Sequence, residues 1–319
     1  GPAAFSASWA GRGLAMAAVL YAPAFAVVAS WVHRLRGRAL TVRTFVAGFA
    51  SVIFVPLATW LGEAYGWRRA LVWLAVILAA ATILPHAVLL RRRPEDLGLL
   101  PDGESREPED NDPHPPRLGP GVPADVALRG ASFRWLTAAF ALSSLTTTAL
   151  AVHLIPLLLE RGYPPAFAGA AMGAVGLMAL PGRLILTPLG SRWPRAAVTA
   201  SIFLLQALGV AALMGMGGEV GVWAYVVLFG AGFGAITPAR AALLAEFYGP
   251  LEYGRISGVL AMFLALARAA APVGASVLYA AGGGYTPVLW ALLAGCLAAA
   301  AAVLLAGTPA VPSRHPIRA

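Results

Sequence analysis

The chain has 319 residues and a formal net charge of +9, with 59% hydrophobic and only 12% charged residues. A soluble domain carries about 25% charged residues, so most of this surface faces something other than water and a soluble fold is excluded. Every basic charge is an arginine; with no lysine, Schiff-base and lysine-nucleophile chemistry is excluded as well.

Apolar runs that reach the roughly 20 residues needed to cross a bilayer recur along the chain. Nine helices are expected, at 11–32, 41–62, 69–90, 135–158, 168–190, 196–216, 221–245, 256–280 and 288–307. The breaks between them carry turn chemistry: "RLRGR", "EAYGWRR", "ERGYPP", "SRWPR", "MGGEVG", "YGPLEYGR" and "GGGYTP". The fold class read from this is all-α, a polytopic membrane protein. The single Cys296 lies in an apolar run, which leaves no disulfide framework and no cysteine metal site.

A basic balance can signal nucleic-acid binding, but here the arginines cluster at span ends, which is a topology signal. If successive loops alternate sides, 16 of the 23 arginines fall on one side and four on the other. The arginine-rich side is expected to be cytoplasmic, with the C-terminus inside and residue 1 outside. The segment 91–134 differs in kind: it holds nine of the 14 acids and eight of the 25 prolines. It cannot bury a core and reads as a solvated, disordered linker. The expected organisation is a three-helix bundle over 1–90, that linker, a six-helix bundle over 135–307, and a tail over 308–319.

Several stretches carry a family resemblance. "GLAMAAVLYAPAFAVVASWVHRLRGRALTV", "PLATWLGEAYGWRRALVWLA" and "LLRRRPEDLGLLPDG" continue into "VHLIPLLLERGYPPAFAGAAMG", "LPGRLILTPLGSRWPR", "FGAGFGAITPARAALLAEFYGPLEYGRISGV" and "APVGASVLYAAGGGYTPVLWALLAG". Together they resemble the major facilitator superfamily of transporters, nearest its monocarboxylate and oxalate/formate-like branch. The resemblance implies two six-helix halves joined by a cytoplasmic loop, each built from inverted three-helix repeats. The nine spans would be family helices four to twelve. The chain, which starts at Gly1 just before a span, therefore reads as lacking the first three. A native nine-helix protein is the alternative. The family's G-x-L-x-D-R-x-G-R-R gate loop is matched by "TPLGSRWPRA", which keeps Leu189, Arg192 and Arg195 but has Ser191 in the place of the acid and Pro194 for a glycine. The acid–arginine latch of that gate is thus weakened.

Arg268 sits in the middle of its expected span. A charge at that depth facing lipid costs about 2.5 kcal/mol on insertion scales and roughly 10 or more in simulations. It should therefore face the interior or a watery cavity. Every acid outside the linker (Glu63, Glu160, Glu219, Glu246, Glu252) lies near a span end. Arg268 thus has no carboxylate at its own level, which leaves it for an anionic substrate, for a partner elsewhere, or for backbone carbonyls. His153 is deep in the 135–158 span with the hydroxyl run Ser143–Thr148, and Thr147 stands one turn beyond Ser143. The resemblance implies that this helix lines the central cavity, with His153 as a candidate proton site because histidine titrates near neutrality. Hydroxyls such as Thr147 serve equally as helix–helix hydrogen bonds. Arg240, after Thr237 and Pro238, could meet substrate or snorkel to the interface. Arg183 could snorkel or hold the gate beside Arg192. Tyr21 could offer its hydroxyl to the cavity or pack as core. The patterns "GAAMGAVG", "GFGA" and "GASVLYAAGGG" are expected to let helices approach closely.

Enzyme motifs are missing: there is no H-E-x-x-H, C-x-x-C, Walker A or G-x-S-x-G. No metal or organic cofactor is expected. The function read from the sequence is secondary active transport of a small organic anion by alternating access, as a monomer in the cell membrane, driven by a proton or by exchange for another anion. The alternatives are a non-transporting scaffold or sensor, and an efflux permease of the same fold.

Overall fold

A computed structural model describes residues 2–19, 21–32, 34–89, 91, 94–100, 102, 121–190 and 192–307. Among these residues there is no strand element; the chain is helical throughout. It divides by contact into one unit made of 1–26 with 117–319, and a second made of 27–116.

Helix α1 runs Pro2–Val19 and α2 runs Tyr21–Trp31. The first expected span, 11–32, falls on these two stretches, with Leu20 between them outside the described residues. Helix α3, Arg36–Leu78, joins the next two expected spans. Their break shrinks to Gly66, where φ is 75° and ψ is 156°, a conformation that glycine adopts without penalty. The helix continues through a π-helical turn, Ala79–Ile83, into α4, Leu84–Leu89. Seven rather than nine helices of the described chain are long and apolar enough to cross a membrane, the first of them being Trp60–Val88. The two expected spans before it are not among those seven.

Both ends of the expected linker carry order. In the second unit the Trp31 indole donates to the Arg91 carbonyl at 3.1 Å, and the Arg34 amide donates to Asp102 Oδ2 at 3.0 Å. In the first unit a short helix α5, Ala124–Arg129, precedes α6. Its Ala124 amide donates to the Glu252 carboxylate at 2.6 Å, and the Val122 amide to the Tyr248 carbonyl at 3.0 Å. The middle of the linker and the tail 308–319 lie outside the described residues.

The six long helices of the first unit are α6 Ala131–Glu160, α7 Pro165–Leu189, α8 Arg195–Gly215, α9 Gly218–Tyr248, α10 Tyr253–Gly282 and α11 Tyr285–Leu305. Helix α9 packs on α7 and α8, α11 on α8 and α6, and α10 on α6. Leu154 and Leu157 of α6, Val210 and Leu213 of α8, Tyr225 and Phe229 of α9 and Leu292 of α11 share one buried cluster. In lipid, burying such side chains gives little advantage over exposing them, so close backbone approach has to supply the packing energy. Glycines provide it at α9. A Cβ on Gly234 would collide with the Ala179 carbonyl of α7, and one on Gly182 of α7 with the Ala231 carbonyl of α9. Gly232 meets the Gln206 side chain of α8 in the same way. The expectation for "GFGA" is met at these contacts. "GAAMGAVG" behaves differently, since Gly169, Gly173 and Gly176 face open space.

Candidate functional site

The buried stripe of α10 runs through Ile256, Leu260, Leu264, Ala271 and Ala275 at helical spacing. Arg268 falls between Leu264 and Ala271, halfway along the helix, but just off the stripe, and its side chain is exposed. No described residue makes a hydrogen bond or ion pair with it. Four residues on, Pro272 has no N–H, so the Arg268 carbonyl also lacks its helical donor. One stretch of α10 thus presents an unpaired guanidinium beside a loosened backbone.

His153 meets α10 at that break. Its Nε2 lies 3.2 Å from the Pro272 carbonyl oxygen, which can only accept, so Nε2 carries the proton. Nδ1 then accepts from the Tyr285 hydroxyl at 3.1 Å. Tyr285 opens α11 and packs against Tyr279 near the end of α10, with ring centroids 4.7 Å apart. Tyr279 donates its hydroxyl to Glu160 Oε2 at 2.8 Å. The ends of α6, α10 and α11 are thus tied by one chain of polar and ring contacts that ends on a histidine one turn from Arg268. Tyr285 and Tyr279 were not found from the sequence, where "GGGYTP" carries only a turn signal.

The remaining expected residues separate into different roles. Thr147 spends its hydroxyl proton on its own helix, donating to the Ser143 carbonyl at 2.8 Å. Arg240 is half-buried on α9 and has contacts of its own. Tyr21 begins α2, and its side chain lies outside the described residues, as does Ser191. Arg183 donates through Nε to the Gly234 carbonyl at 3.0 Å. That carbonyl is the one left without a donor by Pro238, four residues later in α9. Arg183 therefore repairs a helix break inside the bundle.

Arg195 forms an ion pair with Glu246 of α9 at 3.0 Å and donates to the Ala242 carbonyl at 2.8 Å. The acid that "TPLGSRWPRA" lacks in its own loop is supplied from another helix. A separation of 51 residues left no spacing signal for that pairing. Arg192 is exposed and makes no described side-chain contact. Among the described residues no three His, Cys, Asp or Glu side chains cluster in a way that could hold a metal.

A family profile for the Major Facilitator Superfamily matches residues 2–272. The chain belongs to that superfamily. It is a multi-pass membrane protein of a family of transport proteins, not enzymes. Among its relatives, the Major Facilitator chain is 26% identical over 234 residues to monocarboxylate transporter 13 of Bos taurus, covering 73% of this chain and 51% of that protein. It is 31% identical over 90 residues to the riboflavin transporter RibJ of Trypanosoma brucei brucei, 28% of this chain and 16% of that one. It therefore spans about half of one relative and a smaller share of the other. Two solved structures share the fold. A bacterial homologue of the iron transporter ferroportin, in an outward-facing state, superposes with a TM-score of 0.61 at 15% identity, over 92% of this chain and 66% of that one. The fucose:proton symporter of E. coli gives 0.51 at 17% identity, over 58% and 45%.

Proposed function

We propose that this chain forms the greater part of a secondary transporter that moves a small organic anion, such as a monocarboxylate, by alternating access. The observation that carries the reading is Arg268: a permanent cation, halfway along a membrane-capable helix, exposed and without a partner among the described residues. An uncompensated charge at that depth is costly. An anion that arrives with the substrate neutralises it at each turnover and forms charge-assisted hydrogen bonds to the guanidinium. The name of the bovine relative, a monocarboxylate transporter, supports the same substrate class.

His153 is the coupling residue in this reading. A proton that travels with the anion is taken up at Nδ1, and the Tyr285 hydroxyl then turns from donor to acceptor. The arginine-rich loops lie on the cytoplasmic side of the cell membrane. The test is uptake into proteoliposomes that hold the full-length protein, with labelled mono- and dicarboxylates set against uncharged analogues of the same size. Saturable uptake of at least one carboxylate, inhibited by other carboxylates, is expected. Uptake confined to neutral or cationic solutes would remove Arg268 from the substrate's path.

A further inference from the structure

A cavity at one end of the first unit has no part in the transport reading. Its volume is about 360 Å³, and it is lined by Arg161, Ala211, Met214, Gly215, Thr286, Leu289, Trp290 and Leu293. It forms where three helices terminate on the same side of the bundle: α6 ends at Glu160, α8 ends at Gly215 and α11 begins at Tyr285. These are the levels at which a membrane-spanning bundle meets the headgroup layer.

The chemistry of the wall is divided. Arg161 is pinned by one hydrogen bond, from Nη1 to the Leu213 carbonyl at 2.6 Å. No carboxylate pairs with it among the described residues. Glu160, its neighbour in sequence, accepts the Tyr279 hydroxyl instead. The rest of the guanidinium and the exposed Thr286 hydroxyl make no described bond. Trp290 is 60% exposed, an aromatic placed where indoles favour the membrane interface. The remaining wall is apolar, and it continues deeper into exposed apolar surface: Leu208 lies one turn inward from Ala211 on α8, and Leu297 one turn inward from Leu293 on α11.

A cation and a hydroxyl at the headgroup level, with an apolar track leading inward, complement one membrane component. We infer that this cavity is a binding site for a single anionic phospholipid. The phosphodiester oxygens accept from Arg161 and Thr286, and an acyl chain lies along Met214, Leu289 and Leu293. A snorkelling arginine that serves only the interface would need neither the cavity nor the backbone anchor that holds the guanidinium at its edge. Charge-assisted bonds from a guanidinium to phosphate oxygens are the stronger class of hydrogen bond.

The test uses the full-length protein, purified in a neutral detergent and examined by native mass spectrometry with added phosphatidylglycerol, phosphatidylcholine or inorganic phosphate. Phosphatidylglycerol should be retained about tenfold more than phosphatidylcholine, the factor expected from one charge-assisted contact. Arg161→Gln should remove that preference, and Arg161→Lys should restore part of it. Should Arg161→Gln not be recovered folded, Thr286→Val together with Trp290→Ala provides a second route and should reduce retention without abolishing it. Equal retention of the two lipids by the parent protein, or an unchanged preference in both variants, would overturn the inference. So would displacement of the lipid by millimolar inorganic phosphate, since the site would then belong to a free anion.

Discussion

Two apolar helices of nearly equal hydropathy behave differently in this molecule. Trp60–Val88 has a mean hydropathy of 2.2, yet none of its most apolar window is buried inside the structure. Helix α8 has 2.0 and is 56% buried over the same measure, and α9 has 1.8 and is 50% buried. Hydropathy registers that a segment prefers lipid or protein to water, and it does not separate the two. The buried helices carry glycines at crossing points. Gly209, Gly230, Gly232 and Gly234 each stand where a Cβ would strike a neighbouring helix, whereas Gly62 and Gly66 of α3 have open space around them. Packing in the six-helix unit is specified by missing side chains rather than by apolar ones.

That contrast can be broken most severely at the α7–α9 crossing. Gly234→Leu drives a side chain into the Ala179 backbone, and overpacking of this kind costs about 1–3 kcal/mol or more. The monodisperse fraction on size-exclusion chromatography should collapse, while Gly62→Leu in the second unit should leave it unchanged. Equal tolerance at both positions would show that the crossing is not tight.

Next in size is the repaired break in α9. Arg183→Leu leaves the Gly234 carbonyl without a donor and should lower thermal stability in detergent by the equivalent of about 1.5–3 kcal/mol. Adding Pro238→Ala supplies the missing N–H and should restore most of the loss. Stability that stays low in the double variant would mean that Arg183 serves something other than that carbonyl.

A smaller and more specific effect is expected at His153. His153→Phe keeps a ring against Tyr285 but loses the bond to Pro272. Any uptake that remains should lose the pH dependence that the parent shows, because the ring nitrogen that accepts from Tyr285 is gone. A parental pH profile in the variant would place the coupling elsewhere. Smallest is the Arg195–Glu246 pair, whose side chains are 31% and 41% exposed. Glu246→Gln should cost only about 0.2–1 kcal/mol, read as a melting shift that disappears in high salt.

The sequence carried the all-helical membrane class, the breaks in the second half and the depth of Arg268, because each is a local property of hydropathy, turn residues or position along a span. It did not carry the partners. Glu246 for Arg195, Gly234 for Arg183 and Tyr285 for His153 are separated by 51, 51 and 132 residues. Each depends on which helix faces which, and periodicity is silent on that. Of the nine expected spans, the seven from Trp60 onward are long and apolar enough among the described residues, and the first, 11–32, contains Leu20, which lies outside them. Nor does helical spacing show whether a hydroxyl such as Thr147 bonds outward or to its own helix's carbonyls.

The central claim is that Arg268, without a partner among the described residues, serves an anionic substrate. The most direct measurement is uptake by the full-length protein carrying Arg268→Ala, alongside the amount of protein correctly inserted in the membrane. The account predicts normal insertion with uptake reduced to background. Insertion and uptake both at the parental level would contradict it.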